Sequence, residues 1–159
     1  MNIPRPEVVF DCNILLQAIA RQQDPAAECL RLVEQNRATL FLSKPILREF
    51  RKILAYPDIR ERNPQITDAV INEFIAKLLF RGILVRNVPH AIDFSRDPGD
   101  EPYLDLAVAT NADDLVTRDK DLLSFADEHT IEAKHFRQRC PTLRIVTPND
   151  FLAEFGPPP

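Results

Sequence analysis

Short apolar runs alternate along this chain with longer stretches whose apolar residues recur at helical spacing. The runs "EVVF" (7–10), "TLFLS" (39–43), "ILVRNV" (83–88), "DLVT" (114–117) and "RIVT" (144–147) predict five strands. A short helix is expected after the first of them, through about Ile19. "DPAAECLRLVEQN" opens another, with Asp24 as cap and Pro25 at the first helical position. "KPILREFRKILAY" predicts a helix stopped before Pro57, and "QITDAVINEFIAKLLFRG" one with Val70, Phe74 and Leu78 on a single face and Gly82 as its stop. "DPGDEPYLDLAVATNA" reads as a turn entering a helix, and "PNDFLAEF" as a short closing helix. Strands separated by helices need crossover connections, so the expected fold is α/β, a three-layer α/β/α arrangement around a mainly parallel sheet. No repeat or linker interrupts the pattern. One domain over 1–155 is expected, with the "GPPP" end, 156–159, as a frayed tail.

The same pattern singles out four carboxylates. Asp11 follows an apolar strand in "VVFDCNILL", and Asp119 follows another in "DDLVTRDKDLL". Either could cap the helix that comes next, since a carboxylate satisfies first-turn N–H groups. Both also leave the carboxyl edge of the sheet, where ligands of such folds bind. In "PILREFRKIL" the apolar stripe is Ile46, Leu47, Phe50, Ile53 and Leu54, with Arg48, Arg51 and Lys52 opposite and Glu49 at the border. Asp105 sits between Leu104 and Leu106, with Val108 and Ala109 one turn on. A buried carboxylate is costly unless paired, hydrogen-bonded or metal-bound. Arg48 is one candidate partner; a divalent cation shared with the other acids is the alternative.

Bulk properties narrow the chemistry. A net charge of −4 on 159 residues supplies no global basic field, and 3 glycines leave little room for a Gly-rich phosphate loop. No apolar run approaches the ~20 residues that span a bilayer, and the N-terminus lacks signal-peptide character, so a cytoplasmic protein is expected. Cys12, Cys29 and Cys140 form no CxxC pair and read as buried thiols. His90, His129 and His135 fit no zinc spacing and read as surface residues. Four acids without an obvious set of buried cations suit hard divalent ions, which take oxygen ligands.

The segments "VVFDCNILL", "ILREF", "DPGDEPYLDLAVATNADDLVTRDKDLL" and "IVTPNDFL", in that order, resemble a PIN domain, the fold of many metal-dependent ribonucleases. They are most similar to PIN proteins known as toxin components of bacterial toxin–antitoxin pairs. The resemblance implies Asp11, Glu49, Asp105 and Asp119 as the catalytic, metal-holding set, with Asn13, Asp100 and Thr117 in lesser roles. It implies Mg²⁺ or Mn²⁺ as cofactor and RNA as substrate; a small antitoxin protein and a homodimer are left open as partners. Arg48, Lys52, Arg118 and Lys120 are the cations expected to meet phosphates. Two departures stand out. Residues 124–143, "SFADEHTIEAKHFRQRCPTL", replace a short link, with Lys134, His135, Arg137 and Arg139 as a basic segment, and Arg118 stands where a small residue is common. The alternatives are a non-catalytic PIN-like module that binds RNA or protein, and a metal-dependent phosphatase of haloacid-dehalogenase type. "DCN" lacks the second aspartate usual in such phosphatases.

Overall fold

The computed structural model describes residues 4–158, so the first three residues of the expected 1–155 domain and Pro159 of the tail lie outside the described residues. Five parallel strands form one sheet in the order β3-β2-β1-β4-β5. They are β1 (Glu7–Phe10), β2 (Thr39–Leu42), β3 (Ile83–Leu84), β4 (Asp114–Val116) and β5 (Arg144–Val146). Helices flank the sheet in three layers. They are α1 (Cys12–Ala20), α2 (Pro25–Glu34), α3 (Lys44–Leu54), α4 (Pro57–Arg62), α5 (Asp68–Arg81), α6 (Glu101–Thr110), α7 (Lys120–Phe125), α8 (Ile131–Arg139) and α9 (Pro148–Phe155).

The connectivity fixes where a ligand belongs. From central β1 the chain winds outward through β2 to β3, then returns to the other side of β1 for β4 and β5. The reversal opens a crevice beyond the carboxyl ends of β1 and β4, the usual ligand position in open α/β sheets. Val8, Val9 and Phe10 of β1 and Leu115 and Val116 of β4 are fully covered, as strands with helices on both faces should be.

Several elements differ from expectation. The third strand covers only two residues of the expected 83–88, and beyond it Asn87 adopts a left-handed φ of 57°, which a continuing strand would not allow. Pro57 ends one helix and starts the next: at the first position of α4 its missing N–H costs nothing. On α5 the buried stripe is Ile71, Ile75 and Leu78, whereas Val70 is exposed and Phe74 is only half-buried, tilted against Phe50 with ring centroids 5.6 Å apart. The 124–143 segment is part of the core. Its Phe136 packs on Phe125 at 5.2 Å, which packs edge-on against Phe94 at 4.8 Å.

Candidate metal centre

Two adjacent strands deliver the first pair of acids. β1 and β4 pair with Phe10 opposite Val116, so the next residues outward, Asp11 and Thr117, meet at the edge. The Thr117 hydroxyl donates to Oδ2 of Asp11 and accepts the Asp119 amide at 3.0 Å. One buried hydroxyl thereby couples the two strand exits. Asp11 also caps α1, its Oδ1 accepting the Asn13 and Ile14 amides at 2.6 and 3.3 Å. Asp119 caps α7, its Oδ1 accepting the Asp121 and Leu122 amides at 2.8 and 3.4 Å. The capping role and the edge position coexist because one carboxylate has two oxygens, and a cap uses one of them.

Helices bring the rest. Glu49 projects from the exposed side of α3, and α6 lies across β1, β2 and β4 with its N-terminus at the same edge. A 3₁₀ turn, Pro98–Asp100, enters α6, and Asp97 caps that turn by accepting the Gly99 amide at 3.0 Å. Asp11, Asn13, Glu49, Asp97, Asp100 and Asp119 all line a cavity of about 150 Å³, closed on its apolar side by Ile53 and Tyr103. One carboxylate oxygen each from Asp97, Asp100 and Asp119 lies within 4.8 Å of the others.

The electrostatics are those of acids without a counter-charge. Among the described residues, no Lys, Arg or His forms an ion pair with Asp11, Glu49, Asp97, Asp100 or Asp119. Burial, followed by the charges of Asp97, Asp119 and Asp11, pushes Asp100 up to about 7. Burial also raises Asp11, although the Thr117 hydroxyl and the Asn13 and Ile14 amides pull the other way. Oδ2 of Asp100 is buried and has no hydrogen-bond partner. A buried acceptor left unpaired costs about 1–3 kcal/mol. An oxygen-only donor set with an orphaned buried oxygen fits a hard divalent cation.

Asp105 is the correction. It does not line this cavity. Its Oδ1 accepts the Ala91 and Ile92 amides at 2.8 and 3.0 Å, and its Oδ2 meets Nδ1 of His90 at 3.0 Å. Apolar neighbours correctly signal its burial, but three donors from a distant loop satisfy it, and Arg48 is not among them. His90, expected as an idle surface residue, also holds Asp93 at 2.8 Å. Hydrogen bonds to Asp93 and then Asp105 push it up to about 9. His90, Asp93 and Glu101 form a second group of ligand types. There, however, both ring nitrogens are used and Glu101 accepts the Phe94 amide at 2.7 Å, so the group is already satisfied.

The acid that sequence reasoning missed is Asp97, and Asp100 takes a central position in place of a lesser one. The available signal was "DPGD", which sets two carboxylates one turn apart at the entry to a helix pointing at the sheet edge. Of the expected phosphate-binding cations, Arg118 is tied to Gln17 and, at 3.1 Å, to Asp24. Arg48, Lys52 and Lys120 have no hydrogen-bond or ion-pair partner among the described residues, and all three are exposed. Cys12 is buried as expected, its thiol pushed up to about 12 by burial and directed at the Ile46 carbonyl at 3.3 Å.

The PIN domain family model matches residues 7–121, a span that contains every acid of the cavity and ends before the 124–143 segment. No curated protein matches the chain significantly. Among solved structures, a chain of VapBC2 from Rickettsia felis, crystallised bound to a DNA fragment from its promoter, has a similar fold. The TM-score is 0.53 at 17% identity, over 89% of this chain and 98% of that one.

Proposed function

Because the chain belongs to the PIN domain family, we propose that it is a Mg²⁺- or Mn²⁺-dependent endoribonuclease. The observation that carries the reading is the orphaned, buried Oδ2 of Asp100 among four other carboxylates at the switch point of the sheet. Asp11, Asp100 and Asp119 would hold the ion, with Glu49 and Asp97 completing the shell. When bound, the ion supplies activation of water and neutralisation of phosphate charge. Thr117 keeps the two strand-end acids in register through its single hydroxyl. The amides on Oδ1 of Asp11 and of Asp119 fix the rotamers of both side chains, so neither must be ordered when substrate arrives.

The ordered segments shared with toxin-type PIN proteins, and the fold shared with promoter-bound VapBC2, support a further step. The chain acts as the toxin of a toxin–antitoxin pair, with a small antitoxin protein as its partner. The cleavage reading is tested with a mixed-sequence RNA in Mn²⁺, in EDTA, and in EDTA followed by excess Mn²⁺. The expected result is cleavage, loss of cleavage and recovery, with Mn²⁺ also raising the melting temperature as a native-state ligand does. Cleavage that persists in EDTA, or an inert protein whose melting ignores Mn²⁺, overturns it.

A further inference from the structure

A second cavity, about 330 Å³, opens beside the acidic one and shares Glu49, Gly99 and Tyr103 with it. Arg48 and Lys52, one turn apart on the exposed face of α3, form its cationic side. Pro45, Ile46 and Pro102 supply its apolar surface. The volume falls within the range of small-molecule sites. This groove joins cations to an apolar surface at the border of the acidic cavity. Arg118, next to Asp119 in the chain, is by contrast held by Gln17 and Asp24. Arg51, the neighbouring cation on α3, lies outside the groove and donates to Asn72 at 3.4 Å. Arg48 and Lys52, the two cations that face the groove, have no side-chain partner among the described residues, a state they share with Lys120 beside Asp119.

We infer that this groove is a nucleotide subsite: it takes the residue adjoining the scissile phosphate, with Arg48 and Lys52 on phosphate oxygens and the apolar wall against sugar or base. The inference rests on the ribonuclease reading above and adds which face of the site the strand leaves by. An acidic cavity repels RNA, and a protein with net charge −4 lacks a general field to offset this. Unpaired cations bordering the acids therefore supply the local attraction. Bases or sugars on an apolar wall add contact that tolerates any sequence.

The test compares wild type, the double variant R48Q/K52Q and the control R51Q. Initial cleavage rates of one mixed-sequence RNA in Mn²⁺ separate KM from kcat, and anisotropy of the same labelled RNA in EDTA gives affinity across salt with the strand intact. In R48Q/K52Q, KM should rise about tenfold or more with kcat changed much less. The salt slope should shrink by about 1.4, the value for two phosphate contacts on a single strand. The Mn²⁺-dependent rise in melting temperature should match wild type. R51Q should behave as wild type. Equal KM and slope in the double variant, or an equal loss in R51Q, overturns the subsite while leaving the nuclease reading intact. A wild type that neither binds nor cleaves RNA overturns both.

Discussion

Two carboxylates on one helix segment have opposite fates. Asp100, at the N-terminal boundary of α6, has a buried oxygen with no partner and three other acids raising its pKa. Asp105, further along the helix, is buried too, yet two amides and an imidazole occupy its oxygens. Burial alone therefore does not mark a functional acid. The distinction lies in what surrounds it: Asp105 has protein donors on both oxygens, whereas Asp100 has other acids and, among the described residues, no donor. Asp105 pins the 90–92 loop to α6.

The largest expected effect separates the two residues by activity. Asp100→Asn keeps the shape of the side chain but removes a charge from the proposed ion shell. Cleavage in Mn²⁺ should fall on the order of 10³-fold, equivalent to about 4 kcal/mol of transition-state stabilisation. Asp105→Asn should cleave within a few-fold of wild type, since an Asn oxygen can still accept both loop amides. RNA cleavage assays at saturating Mn²⁺ read both values. If the two variants lose activity equally, the assignment of Asp105 as an anchor fails.

Much of this contrast was beyond the reach of the sequence, for a physical reason. Alternation of short apolar runs and helical spacing depends on neighbours in the chain, so the five strands, a mainly parallel sheet and the edge positions of Asp11 and Asp119 could be read directly, whereas the strand order could not. Glu49 stands on the border of an amphipathic stripe, a position common to surface glutamates, and only the family resemblance draws it into the acidic set. The partner of Asp105 could not be read. Its donors lie at 90–92 in a segment without periodicity, and nothing local shows that this loop folds back onto α6. Asp97 escaped because a carboxylate before Pro and Gly looks like ordinary turn chemistry, which it also is: it caps the turn and faces the cavity together. The half-exposed face of α5 was likewise misjudged, since spacing gives a helix its period but leaves open which of two neighbouring stripes turns inward.

Stability reverses the ranking. Asp105→Leu preserves approximate volume but strips the acceptor from the Ala91 and Ile92 amides. Each buried donor left unpaired costs about 1–3 kcal/mol, so a loss of about 2–6 kcal/mol is expected in urea unfolding. Asp100→Leu removes an acid that has no donors to lose and should be neutral or stabilising in EDTA. A stable Asp105→Leu variant would show that the loop is held by other contacts, and the two acids would no longer differ in kind.

The smallest effect concerns pH, and its sign follows from the pKa of Asp100. The native carboxyl is pushed up to about 7, while an unfolded aspartate ionises near 4. Between those values the native state holds a proton that the unfolded state has released, so this group's contribution to stability is full below about 4 and is lost as pH rises to 7. Asp11 is shifted in the same direction by burial. His90, pushed up to about 9 from 6.5, loses its contribution over a higher window and leaves the range below 6.5 to the acids. Asp100→Asn removes the first of these slopes. In EDTA its melting temperature should match wild type near pH 4.5 and exceed it by about 3–6 °C at pH 6.5, the shift produced by about 1–2 kcal/mol in a chain of this size. Mn²⁺ should reverse the wild-type trend, because a cation binds the ionised carboxylates and gains affinity as they deprotonate. Parallel melting curves for wild type and variant across this range would mean that Asp100 ionises normally, with its charge already balanced. The acid at the start of α6 would then be as satisfied as Asp105.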